Sequence, residues 1–276
     1  MAHDTKSLTF RYGEPVRDQG QLSENALLKS MAERGSCREF KDDHVDLDTI
    51  RLLCGIALAS PTKSDLQQRD IVVVRDPKVR DAIAELVGGQ TWVTAVPNLV
   101  VFCGNNRRQR LVHDMRGHAF VNDHLDAFFN AAVDAGIALS AFVTAAEAMG
   151  LGCCPISAVR NKPTELSDLL ELPDHVFPVA GLAFGHPKTP EPKVSMRLPL
   201  EATVHVDRFS EDGIEAVIAQ YDQQREAAQP YEKQVAPEVF GTSDEYGWSE
   251  AKSRQYALPE RQSFGAFVRA KGFDLS

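Results

Sequence analysis

The stretch from Asn122 to Gly152, NDHLDAFFNAAVDAGIALSAFVTAAEAMGLG, constrains the fold more than any other part of this chain. An amphipathic surface helix carries one apolar stripe. Here Leu125, Phe128, Phe129, Val133, Ile137, Leu139, Phe142, Val143 and Met149 leave few polar positions after Asn130, so a buried central helix is expected. Ala is dense, Pro is absent, and Gly150 with Gly152 supplies the stop. A helix of about 28 residues at about 1.5 Å per residue would be roughly 42 Å long. Asp134, Ser140 and Glu147 make it too polar for a membrane span. Its small residues, Ala131, Ala132, Ala135, Gly136, Ala138 and Ala141, allow close approach of another backbone. That suits a core and a subunit interface together.

The chain has 276 residues, 43% hydrophobic and 25% charged, enough for one large domain or two small ones. A net charge of −9 argues against a nucleic-acid surface, which needs a basic stripe, but not against a local basic pocket. No apolar run follows a basic start, so no signal peptide or membrane segment is expected and the chain is read as cytoplasmic. Cys37, Cys54, Cys103, Cys153 and Cys154 are odd in number, which fits buried free thiols in a reducing compartment. The adjacent Cys153 and Cys154 are either a redox pair or buried small side chains.

Residues 1–20 show no periodicity and read as an extended arm. Leu27, Leu28 and Met31 indicate a helix over 23–33, and Asp46 or Asp48 caps another over 47–59. Strands are expected at Ile71–Val74, Pro97–Cys103, Cys154–Val159 and Phe177–Gly185. Asp76-Pro77 opens a helix to Val87, and 105–120 reads as an irregular basic loop or short helices. Further helices are expected at 163–170, 211–225, 248–256 and 259–271, with a loop-like passage over 228–246. Strands mixed with longer helices give α+β, or α/β with a mixed sheet. No GxGxxG follows any strand.

Five passages offer chemistry. In Arg34-Gly35-Ser36-Cys37-Arg38, two guanidinium forks flank a hydroxyl, which suits phosphate or carboxylate, and Gly35 lets backbone come close. Pro61 to Gln67 sets polar groups at a helix end, and Gly88-Gly89-Gln90 is a helix stop followed by a polar side chain. Cys154 to Ala158 is an exit strand whose amides can face a ligand, and Met196-Arg197-Leu198-Pro199 fixes an Arg beside a Pro. Each passage also reads as plain surface or packing. His113, His118 and His124 are spaced so that no pair shares a helical face, so no metal site is expected. No nucleophile elbow or triad signature occurs.

In order, RGSCREF (34–40), ASPTKSDLQ (59–67), GGQ (88–90), PNLVVFC (97–103), AAEAMGLG (145–152), PISAVRN (155–161), LPDHVFPVAGLAFGHP (172–187) and MRLP (196–199) resemble the FMN-dependent nitroreductase superfamily. The likeness is nearest to the oxygen-insensitive nitroreductases and NADPH–flavin oxidoreductases. It implies an α+β fold with a mixed four- to five-stranded sheet flanked by helices around a long central helix. It also implies a homodimer with two FMN sites, a 23–225 core, a 1–22 arm, and a 226–276 excursion wrapping the partner subunit. Residue by residue, Arg34, Ser36 and Arg38, with Gly35 and Cys37 in the same segment, match phosphate and ribityl binders. Thr62, Ser64 and Gln67 match a polar loop near the flavin, and Gln90 matches a Gln at its pyrimidine side. Pro155, Ile156, Ser157 and Ala158 match the strand approaching N5 and O4. Arg197 matches a basic residue near the phosphate.

Three departures stand out. Ser195 occupies the place of a usual Lys, and Ser157 and Ala158 replace two frequent Gly. The segment 235–247 is acidic and has no Arg for a 2′-phosphate, which favours NADH or a loose donor preference. The expected chemistry is ping-pong transfer of two electrons from NADH or NADPH to nitroaromatic, quinone or flavin acceptors, with no catalytic side chain. The alternatives are an FMN store without turnover and a specialised dehalogenase or dehydrogenase.

Overall fold

Apolar runs set the strands. The computed structural model describes residues 5–18, 20–88, 91–189 and 193–276. The strands are β1 (Arg69–Val74), β2 (Asn98–Asn105), β3 (Gly152–Ile156) and β4 (Val176–Gly185). They lie in the order β1-β2-β4-β3, and every neighbouring pair is antiparallel. The expected mixed sheet is therefore antiparallel among the described residues. The reason is topological: β2 and β3 run parallel, but β4 inserts between them. The one parallel pairing among the described residues is an isolated bridge from Ser36 to Cys153.

The helices, in chain order, are α1 (Lys6–Tyr12), α2 (Gln21–Glu24), α3 (Ala26–Glu33), α4 (Leu47–Leu58), α5 (Pro77–Leu86) and α6 (Arg107–Arg116). They continue with α7 (Leu125–Ala148), α8 (Pro163–Leu169), α9 (Ile214–Ala228), α10 (Pro237–Phe240), α11 (Trp248–Ala257) and α12 (Phe264–Ala270). The expected extended arm contains α1, which ends on left-handed Gly13. The single helix expected over 23–33 is split, because Asn25 is extended and its side chain accepts from the amides of Leu27 and Leu28. The basic stretch 105–120 holds one ten-residue helix, and the last expected helix starts only at Phe264.

The chain forms two compact units, Met1–Gly35 with Lys193–Glu260, and Ser36–Pro192 with Arg261–Ser276. In the second, alternation along the strands sends side chains to two covered faces. Leu99, Val101 and Cys103 of β2 pack with Ile83 and Leu166, while Val100 and Phe102 pack with Leu53, Ala138 and Phe142. Asp46 caps α4 by accepting from the Thr49 amide at 2.8 Å, and Asp76 caps α5 by accepting from the Lys78 amide at 2.8 Å.

The central helix α7 has 24 residues, about 36 Å at about 1.5 Å per residue. Gly150, with φ +80°, turns the chain out of it. By length and composition alone α7 could cross a membrane. Here Ala131, Ala135, Ala138 and Phe142 are buried within the unit, as is Asp134. Burial all round was expected, and the structure differs: Leu125, Phe129 and Val133 are 49%, 59% and 42% exposed. In its N-terminal part the helix turns Ala127, Ala131 and Ala135 inward and Leu125, Phe129 and Val133 outward at four-residue spacing, while further on Phe142 and Val143 are buried.

Candidate functional site

Asp134 organises the polar loop after α4. Its carboxylate accepts from the Thr62 hydroxyl, from the Lys63 amide at 3.1 Å and from the Gln68 amide at 3.1 Å. Arg69 Nη1 lies 3.8 Å away, and both side chains are 2% exposed. Arg69 Nη2 donates to the carbonyls of Leu58 and Ser60, each at 2.8 Å. The Thr62 oxygen also accepts from the Gln67 amide at 2.9 Å. Within this net Ser64, Asp65 and Gln67 hold left-handed backbone at φ 48°, 57° and 53°, a conformation that non-glycine residues adopt at a penalty. The Thr62 hydroxyl is thus committed to the loop, while Ser64 and Gln67 are exposed.

In the same unit the Cys37 amide donates to the Cys153 carbonyl at 2.9 Å, so the segment carrying Ser36 and Arg38 runs beside β3. A Cβ on Gly152 would meet Cys37 Sγ at 2.6 Å, so the Cys37 side chain is packing against β3. Ser36 and Arg38 are exposed. Further along β3, Ile156 is buried in the core, and Pro155 has no N–H to offer. Ile156 also pairs with Gly181 of β4, and Ser157 and Ala158 open the short helical turn that follows the strand. Arg261, which the sequence did not single out, donates to the Ser157 hydroxyl at 3.2 Å and to Asn161 at 3.1 Å. Gln90 and Gly89 lie outside the described residues; Gly88 follows α5 with φ +52°. Cys153 and Cys154 are buried, and burial pushes the Cys103 thiol up to about 12.

The other unit holds the second group of expected residues. A Cβ on Gly35 would meet the Lys193 carbonyl oxygen at 2.4 Å, so the close approach that Gly35 permits is to the chain's own backbone. This brings the segments of Arg34 and Arg197 together, and both arginines line one open cavity of about 810 Å³. Arg11, Arg225 and Lys252 line it as well, and among the described residues no carboxylate does. The Arg225 guanidinium lies 4.9 Å from the Tyr231 ring centroid, and its Nε is buried without a hydrogen-bond partner. Burial raises the Tyr231 phenol, and Arg225 opposes that shift. Sequence reading missed Arg11, Arg225 and Lys252, because they come from three helices and no local spacing links them. The passage 228–246 is tied down: Arg254 Nη1 donates to the Gly241 carbonyl at 2.6 Å and the Val235 amide donates to the Tyr246 hydroxyl at 2.7 Å.

A cavity ringed by cations, in a chain with a long helix packed on an antiparallel sheet, defines an α+β protein suited to a phosphate-bearing ligand. The chain belongs to the nitroreductase family: residues 31–186 match the Nitroreductase family, and residues 195–276 match the Nitroreductase family, C-terminal domain. It is similar to the FMN reductase (NAD(P)H) of Bacillus subtilis, 36% identical over 72% of this chain and 81% of that protein. It is 28% identical to the NADPH-flavin oxidoreductase of Vibrio harveyi, over 90% of this chain and 98% of that one. Its fold matches the hypothetical oxidoreductase YcnD from Bacillus subtilis with a TM-score of 0.82 at 30% identity, covering 91% of this chain and 99% of that chain.

Proposed function

We propose that this chain is an FMN-dependent oxidoreductase that passes two electrons from NADH or NADPH to a flat electrophile such as a nitroaromatic, a quinone or free flavin. The observation that carries this reading is the meeting of Arg34 and Arg197, far apart in sequence, in a cavity that five cationic side chains and, among the described residues, no carboxylate line. Guanidinium forks hold a phosphate by paired, charge-assisted hydrogen bonds, so the residues present fit the phosphate of FMN. Bound, FMN supplies the two-electron chemistry. Arg34 and Arg197 hold its phosphate, with Ser36 and Arg38 on the phosphate and ribityl side and Gly35 and Cys37 shaping that segment. The amides of Ser157 and Ala158, carried in by Pro155 and Ile156, serve the N5 and O4 edge. Thr62, Ser64 and Gln67 supply the polar loop, and Gln90 the pyrimidine side. The relatives' names, FMN reductase and NADPH-flavin oxidoreductase, support the same cofactor and donors.

The protein acts as a cytoplasmic homodimer. The outward stripe of Leu125, Phe129 and Val133 on α7, with Leu52 and Ile56 exposed on α4, supports a second copy as its cover. Residues 226–276 form an excursion over that partner. The acidic, Arg-free 235–247 segment favours NADH over NADPH.

The test is the absorption spectrum of the purified protein, followed by NADH or NADPH added without oxygen. A yellow protein bleached by either donor is the expected result, and the ratio of rates reads the donor preference. A yellow protein bleached by neither is an FMN-binding protein without turnover. A colourless protein that takes up no FMN overturns the reading.

A further inference from the structure

Helix α1 lies outside both stretches that match the family, residues 31–186 and 195–276. Its last turn carries Arg11, which is 7% exposed. Arg11 Nη2 donates to the carbonyls of Ala32 at 3.1 Å and Arg34 at 2.7 Å, and Nη1 donates to the carbonyl of Ser195 at 3.1 Å. Its own carbonyl accepts from the Arg197 amide at 2.6 Å. Just beyond the helix, Glu14 accepts from the Leu200 amide at 2.8 Å. One residue therefore grips both the segment that carries Arg34 and the segment that carries Arg197. A planar fork with several donors in fixed directions suits three carbonyls at once, and an ammonium does not reproduce that geometry. The Gly35–Lys193 approach leaves no room for side chains between the two backbones, so the spacing of the two arginines is set by this stitching.

We propose that Arg11 is a positioning residue for the phosphate site: it fixes Arg34 and Arg197 relative to each other, so that a segment outside the family match sets the affinity for the flavin phosphate. This rests on the reading that Arg34 and Arg197 take the phosphate of FMN.

The test is a mutant cycle in the full-length, flavin-stripped chain, with the Kd for FMN read by flavin fluorescence and folding checked by Tm. The variants are R11A, R11K, R34A/R197A and R11A/R34A/R197A. R11A is expected to raise Kd about tenfold in the wild-type background and less than about twofold in the R34A/R197A background, because residues that act as a unit are not additive. R11K is expected to recover part of the affinity. An equal loss in both backgrounds overturns the proposal, since Arg11 then acts on its own or through general stability. An R11A chain that melts lower yet binds FMN as tightly as wild type also overturns it. If R34A/R197A leaves Kd unchanged, the phosphate reading fails and the proposal falls with it; if R34A/R197A weakens FMN and R11A does not, the proposal alone fails.

Discussion

Asp134 gives the sharpest prediction. Its carboxylate is 2% exposed, faces Arg69 at 3.8 Å and accepts from the Thr62 hydroxyl and two amides. Asp134→Ala removes all of these acceptors and leaves the Arg69 charge buried without a counter-ion. Breaking one partner of a buried pair is destabilising by about 3–5 kcal/mol. The Ala cannot fall at the low end, because the amides of Lys63 and Gln68 lose their acceptor as well. With roughly 2–4 °C of Tm per kcal/mol for a unit of this size, about 4 kcal/mol lowers Tm by about 10 °C. Asp134→Asn keeps the shape and one acceptor, but points an N–H₂ at a donor, so an intermediate loss is expected. The assay is thermal unfolding by circular dichroism at neutral pH, with limited proteolysis across residues 61–67 as a local readout. The three left-handed residues of that loop are held by this net, so its cleavage is expected to accelerate before global melting. An Asp134→Ala protein within about 2 °C of wild type, with an uncut loop, would refute the reasoning.

Arg38→Ala is expected to weaken FMN retention about tenfold or more, read as flavin lost on dialysis; full yellow occupancy counts against its role. Gly35→Ala forces a Cβ to within 2.4 Å of the Lys193 carbonyl oxygen and is expected to destabilise by about 1–3 kcal/mol, read from urea midpoints. Phe129→Arg, on a residue 59% exposed in one chain, is expected to leave Tm of the isolated fold little changed while shifting sedimentation from dimer to monomer. A hydrogen-bonded pair with Arg110, at 2.5 and 2.7 Å, holds the Asp123 carboxyl below its usual value. The folded value is depressed, so its stabilisation is full above the unfolded carboxylate's range near about pH 4 and is lost as pH falls through the folded value. Asp123→Asn is expected to flatten the acid limb of the stability curve below that pH and leave the neutral limb unchanged in slope.

The sheet was legible because fully buried strands are written as apolar runs, and the caps Asp46 and Asp76 were legible because a cap acts within three residues. Gly150 marked the end of α7 for the same local reason. The outward stripe of α7 was not legible, since an apolar face looks the same whether its cover comes from its own chain or another. Asp134 read as mere polarity in an apolar helix, because its partners Thr62 and Arg69 are distant in sequence. Helix α1 carries too few apolar residues to show a period, and its value lies in one arginine contacting carbonyls at 32, 34 and 195. Of the expected site residues, Arg34 and Arg197 come together in one cavity, and Ser36 lies beside β3.

The N-terminal part of α7 keeps two kinds of information on one helix apart. Ala131, Ala135 and Ala138 let the backbone lie close to the sheet, and almost any enlargement there disturbs the fold. Leu125, Phe129 and Val133 are only half covered by their own unit, so changes there disturb the fold less. Selection can therefore rewrite what this face of the helix presents while largely leaving alone how the helix folds.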